Sequence, residues 1–184
     1  MHRLHDGARM ARTASPMELI IRPLTPADRE PAVALINAAA LWYREFLPAG
    51  EYRDPEMTIE DWEGEARRMT WYGAFAAGRL AGVMGLEYVG DAALLRHGYV
   101  APEHQQAGVG SRLRAFLESQ VRGVRRVIAG TYAGNYKARG MLEKSGYRLA
   151  TDSEGVLRTY YAIPEARVRS SVAYEKDVPG LPPL

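Results

Sequence analysis

The sequence predicts an α+β domain in which a meander of short strands precedes a series of helix crossovers. Two observations carry this. Three strand-like runs, WYGAFA at 71–76, LAGVMGLEY at 80–88 and AALLRHGYV at 92–100, are separated only by Gly78-Arg79 and Gly90-Asp91, and connections that short join antiparallel neighbours. The period then changes. Val109, Leu113, Phe116, Leu117 and Val121 recur at helical spacing, with Arg112, Arg114 and Glu118 on the opposite face.

The remaining elements follow in chain order. Residues 1–16 have no apolar periodicity and read as a disordered leader, with Met17 as an alternative start of translation. Residues 19–24 alternate as a first strand, and Thr25-Pro26-Ala27-Asp28 forms a helix entry with proline in the first turn. Val33, Ile36, Ala40 and Tyr43 lie on one face of a helix over 27–46, which Pro48, Gly50 and Pro55 bring to an end. Thr58, with Asp61 three positions later, caps a second helix over 58–69. After the helix that begins at Val109, a strand over 124–132, a helix over 135–144 and a strand over 147–150 complete the crossovers. Residues 156–163 take no clear element, and 167–174 alternate as a last strand. The segment 177–184 holds three prolines and reads as a tail, so 17–176 is expected to be one domain.

A chain of 184 residues accommodates one packed core, which buries about 70% of the unfolded surface of a domain this size. Cysteine is absent, which excludes disulfides, thiolate nucleophiles and Cys-ligated zinc. The net charge is only +2 with both signs interspersed, so no nucleic-acid footprint is indicated. No apolar run approaches the roughly 18 residues that cross a bilayer, and the basic N-terminus lacks the apolar stretch of a secretory signal. A cytoplasmic protein with neither membrane nor metal partner is the expectation.

The stretch EHQQAGVGSRL at 103–113 places two glycines at the start of a helix. Unpaired N–H groups and the positive end of a helix dipole suit a phosphate there. A P-loop would need a lysine between Gly110 and Ser111, and a dinucleotide fingerprint would need glycine at Leu113. Neither pattern fits.

What fits is Gln105-x-x-Gly108-x-Gly110, which resembles the acetyl-CoA loop of the GNAT superfamily of N-acetyltransferases. NYKARGMLEKSGYR at 135–148 resembles the second signature of the same superfamily, in the right order and at the right separation. The resemblance spans nearly all of 19–150. It implies a central, mostly antiparallel twisted sheet of six to seven strands flanked by helices and splayed between the fourth and fifth strands. It implies direct transfer of acetyl from acetyl-CoA to an amine of a small molecule or protein, in a ternary complex. The cofactor would be held by Gln105, Gln106, Ala107, Gly108, Val109, Gly110 and Ser111, with the pantetheine arm reaching Asn135. Main-chain N–H groups around Tyr99 and Val100 would hold the thioester oxygen. Family habit makes a homodimer through the last strand one expectation.

The reacting groups are less defined. A tyrosine that protonates the leaving thiolate in many members is replaced by Leu142, which leaves Tyr132, Tyr136, Ser145 or water for that task. For the base, His97 belongs to a residue type that titrates near neutrality and Glu87 lies on the preceding strand; each also reads as an ordinary structural residue. Asn135 reads equally as a helix cap. Trp42, Tyr43, Phe46, Tyr160 and Tyr161 line an acceptor pocket or simply pack. Arg112 and Arg114 face outward, toward a ribose phosphate or solvent. With Leu142 in place, a catalytically degenerate domain that binds acyl-CoA or a partner is the alternative to an enzyme.

Overall fold

The computed structural model describes residues 17–179. The expected leader at 1–16 and the end of the tail, 180–184, lie outside the described residues. The elements are β1 (Ile20–Pro23), α1 (Arg29–Ala40), α2 (Ile59–Ala66), β2 (Met69–Ala76), β3 (Arg79–Val89) and β4 (Ala92–Val100). They continue with α3 (Val109–Gln120), β5 (Arg126–Tyr132), α4 (Tyr136–Lys144), β6 (Arg148–Leu149), α5 (Ser153–Tyr160), α6 (Glu165–Arg169) and β7 (Ser171–Asp177). One seven-stranded sheet runs in the order β1-β2-β3-β4-β5-β7-β6, as the α+β expectation requires.

Side-chain alternation splits the core into two layers. Val127 and Ala129 pack with Leu95, Leu113 and Leu117 under α3, and Leu142 of α4 joins them. Ile128 and Leu94 face the other way, against Leu157 of α5. On that second face, Val83 and Tyr99 pack beneath Ile36 and Ala40 of α1. The β2-β3 connection has Ala77 and Gly78 at φ of 47° and 78°, the left-handed pair that a tight hairpin needs. Thr58 and Asp61 form the expected capping box at α2, each side chain bonded to the other residue's backbone N–H.

The splay is built by a bulge. β3 and β4 shift register between Val83 and Gly85, where His97 adopts φ 51°, and an extra residue on β4 increases its twist. β4 pairs with β5 in parallel only from Ala92 to Leu95, against Arg126 to Ala129. Beyond Leu95 the two strands part.

Several expectations are corrected. The helix over 27–46 is α1 alone, flanked by tight 3₁₀ turns at Pro26–Asp28 and Leu41–Glu45. Residues 156–163 belong largely to α5, whose N-cap Asp152 accepts from Gly155 N–H. The last strand begins at Ser171, because 167–169 lie in α6, and it runs to Asp177. Arg114 does not face outward: it is 8% exposed, ion-paired with Glu118, whose carboxylate also takes Tyr147 Oη at 2.6 Å and Lys176 Nζ at 3.0 Å. Tyr147 and Lys176 converge on Glu118 beside that arginine, tertiary partners that helical spacing alone does not reveal. Among the described residues no helix is long and apolar enough to cross a membrane.

Candidate active site

The parting of β4 from β5 opens a cleft of about 780 Å³ that passes between the two faces of the sheet. Its floor is backbone. Ala101 N–H donates to Ala81 O at 2.9 Å, and strand alternation then directs Tyr99 N–H toward β3 and both polar groups of Val100 toward the open side. Gln105 Nε2 donates to Val100 O at 3.4 Å and leaves the Val100 N–H facing the cleft.

From Val100 the chain enters the glycine loop. Gln106 and Gly108 take φ of 64° and 78°, and Gly108 is the N-cap of α3, where a left-handed residue reverses the chain into the helix. Val109 is fully buried and anchors the helix start, while Gly108 and Ser111 are exposed and line the cleft with Gly110. Gly110 lies so close to Val100 that a Cβ would sit 3.3 Å from its Cγ2. The first turn of α3 therefore presents unpaired N–H groups and its dipole to the cleft, which suits a pyrophosphate. Gln105, Gln106 and Asn135 also line it, whereas Ala107 is exposed outside it. Asn135 Oδ1 accepts from Ala138 N–H at 3.1 Å, so the cap and the cleft position coexist.

The residues weighed for proton transfer separate. His97 Nε2 is 3.1 Å from Glu65 Oε2, and its ring packs against Trp71, which is stacked on Trp62. Burial raises Glu65, but the hydrogen bonds from His97 and Arg68 and the charge of Arg96 outweigh it and hold the carboxyl at about 2. Glu87 accepts from Arg96 Nη1 at 2.7 Å and does not line the cleft. His97 does line the cleft, and both candidates belong to a charge network with Glu65 and Arg96 beside the bulge. Tyr136 lies at the rim, 69% exposed, its ring 5.5 Å from that of Trp42. Leu142 is core, and Ser145 Oγ closes the last turn of α4 on Met141 O at 2.7 Å. Of the aromatic candidates, Trp42, Tyr43 and Tyr161 reach the cleft, while Tyr160 binds Asp91 and Arg126 at the far end of the sheet.

Tyr161 does something not read from sequence. Its hydroxyl accepts from Gly130 N–H at 2.9 Å and reaches Ile128 O at 3.4 Å, satisfying β5 where β4 has left it. Gly130 permits this, since a Cβ there would meet the Tyr161 ring at 3.3 Å.

A second polar group in the cleft also escaped the sequence. Glu56, 9% exposed, is held where the α1-α2 connection ends: Asn37 on α1 clamps Met57 with two hydrogen bonds of 2.9 Å, one to its N–H and one to its C=O. Glu56 Oε1 accepts from Tyr99 Oη at 3.2 Å and lies 3.9 Å from Arg167 Nη2. Its Oε2 is buried without a partner, as is the hydroxyl of Tyr132. The Arg167 guanidinium sits 5.2 Å over the Tyr132 ring. Burial pushes the Tyr132 phenol up to about 12 although Arg167 opposes it, and burial also raises Tyr43 and Tyr99. All three phenols stay protonated at neutral pH.

A family model described as the acetyltransferase (GNAT) family matches residues 35–147, which includes β4, the glycine loop and α4. The chain belongs to that family. The GNAT fold extends beyond the matched segment: the acetyltransferase of the GNAT family from Staphylococcus aureus superimposes with a TM-score of 0.69 at 14% identity, covering 88% of this chain and 99% of that one. PaiA N-acetyltransferase from Thermoplasma acidophilum, solved with coenzyme A, gives 0.67 at 18% identity over 88% and 99%. The ribosomal-protein-S18-alanine N-acetyltransferase of Escherichia coli gives 0.64 at 18% over 90% and 97%. No curated protein sequence matches the chain. GNAT membership carries acyltransfer from an acyl-CoA as the class of activity.

Proposed function

We propose that this GNAT chain is an N-acetyltransferase that brings acetyl-CoA and an amine together in one ternary complex. The observation that carries the reading is a single cleft with an anion-binding helix start at one end and a buried, unpartnered carboxylate oxygen at the other. Acetyl-CoA supplies an activated acyl thioester when bound. The loop from Gln105 to Ser111 would hold its pyrophosphate, and Val100 N–H would donate to the thioester oxygen as charge develops there.

The acceptor nitrogen arrives as an ammonium, since amines of this kind titrate near ~10. Glu56 Oε2 takes its first proton. The freed lone pair forms the C–N bond as the C–S bond breaks, and the nitrogen loses its second proton. Tyr132, protonated at neutral pH, can deliver a proton to the leaving sulfur and be restored by the one released; the other goes to solvent. The geometry supports Glu56 over His97 and Glu87 for the first step, because its Oε2 has no partner, whereas His97 Nε2 is hydrogen-bonded to Glu65 and Glu87 Oε2 to Arg96. Calorimetric titration with coenzyme A, together with thiol release from acetyl-CoA across a panel of amines, tests the reading. Micromolar binding with amine-dependent thiol release is expected. Binding with no release on any amine would instead favour a domain that only binds acyl-CoA.

A further inference from the structure

The acceptor end of the cleft holds more than an amine needs. Glu56 Oε2 and Tyr132 Oη are both buried and unpartnered, and a carboxylate oxygen buried without a donor is costly unless a ligand completes it. Beside them stands a cation. Among the described residues the Arg167 guanidinium makes no hydrogen bond, its closest charged contact being Glu56 Oε1 at 3.9 Å, and it lines the same cleft. A guanidinium presents its donors in a planar fork that matches a carboxylate. An anion with one free oxygen thus adjoins a cation with free donors.

From this we propose that the acceptor is an α-amino acid, its ammonium taken by Glu56 and its carboxylate by Arg167. The assignment rests on the transferase reading above. An α-amino acid carries both charges on one carbon, as the adjacency of the two side chains demands. A polyamine or a lysine side chain brings no carboxylate, and so would leave Arg167 unmatched and close to a like charge. A peptide N-terminus brings a neutral carbonyl at that place. Other charges nearby do not offer the same pair: Arg53 lies 3.2 Å from Asp61, Glu51, though one of its oxygens is bare, does not line the cleft, and Lys137, which does, sits 4.2 Å from the centre of the Trp42 ring and not against Glu56. The rings of Trp42 and Tyr43 give an apolar side chain a wall to pack on.

The test uses the full chain and the standard amino acids, each set against its methyl ester and its decarboxylated amine. Thiol release from acetyl-CoA gives kcat/KM, and calorimetric titration of the acceptor into coenzyme A-loaded protein gives binding without turnover. At least one amino acid should exceed its own ester and amine more than tenfold in both measurements. Arg167→Gln should erase that preference and Glu56→Gln should weaken all acceptors, with coenzyme A affinity unchanged in both variants. If coenzyme A binds but esters or simple amines serve as well as amino acids, or if Arg167→Gln keeps the preference, the amino-acid assignment is overturned while the transferase reading stands. If coenzyme A does not bind the unmodified chain, both fall.

Discussion

The two ends of the cleft are built in opposite ways. The end that we propose for the cofactor is one continuous stretch of chain, from Val100 through Gly108 to the first turn of α3, and most of what it offers is backbone. The end proposed for the acceptor gathers Glu56 from the α1-α2 connection, Tyr99 from β4, Tyr132 from β5 and Arg167 from α6, all through side chains. A backbone site depends on local conformation and tolerates many side chains. A side-chain site depends on tertiary packing and changes with single residues. One would expect the first end to define the family and the second to define the substrate.

The contrast can be broken by substitution. Gly108→Val places a β-branched residue at φ 78°, a strain of about 1–3 kcal/mol, and should weaken coenzyme A binding about 10- to 100-fold by titration calorimetry. An unchanged affinity would mean that loop conformation does not govern the cofactor end. Asn37→Ala removes the clamp on Met57 and touches neither ligand. It should lower kcat/KM for the acceptor about tenfold and stability by about 1–3 kcal/mol, with coenzyme A affinity unaffected. Equal losses at both ends would show that the two are one mechanical unit.

The smallest effect concerns pH. Glu65 sits at about 2 in the fold against 4.5 as a free side chain, so between those values the unfolded chain binds the extra proton. Stability is therefore complete above pH 4.5 and falls as pH drops toward 2. Glu65→Gln should flatten that part of a urea-midpoint profile, and a profile identical to that of the unmodified chain would remove Glu65 from the charge network beside the His97 bulge.

The same contrast explains what was legible beforehand. The meander, the glycine loop and α4 are local features with local signals, such as period, turn residues and caps, and the structure has each of them. Glu56 carried no signal, because its place depends on the clamp that Asn37 puts on Met57, 20 positions further along the chain. Arg167 was hidden by alternation that looks like strand but folds as the single turn of α6 before β7. Arg114 was misplaced because helical spacing says which residues share a face, not what that face later meets. Leu142 stands where the resemblance expects a tyrosine, and what sets Tyr132 apart from Tyr136 and Ser145, a buried hydroxyl without a partner at the end of β5, depends on the fold.

The bulge at His97 also has a bearing on solubility. A strand edge with free backbone groups templates pairing with other chains, and proteins ordinarily guard such edges at the borders of their sheets. Here the parting of β4 and β5 creates one at the centre. It is recessed among α3, α4 and the ring of Tyr161, which has already closed the β5 side. A slender ligand can lie along the remaining edge, while the strand of a folded neighbour is kept from it.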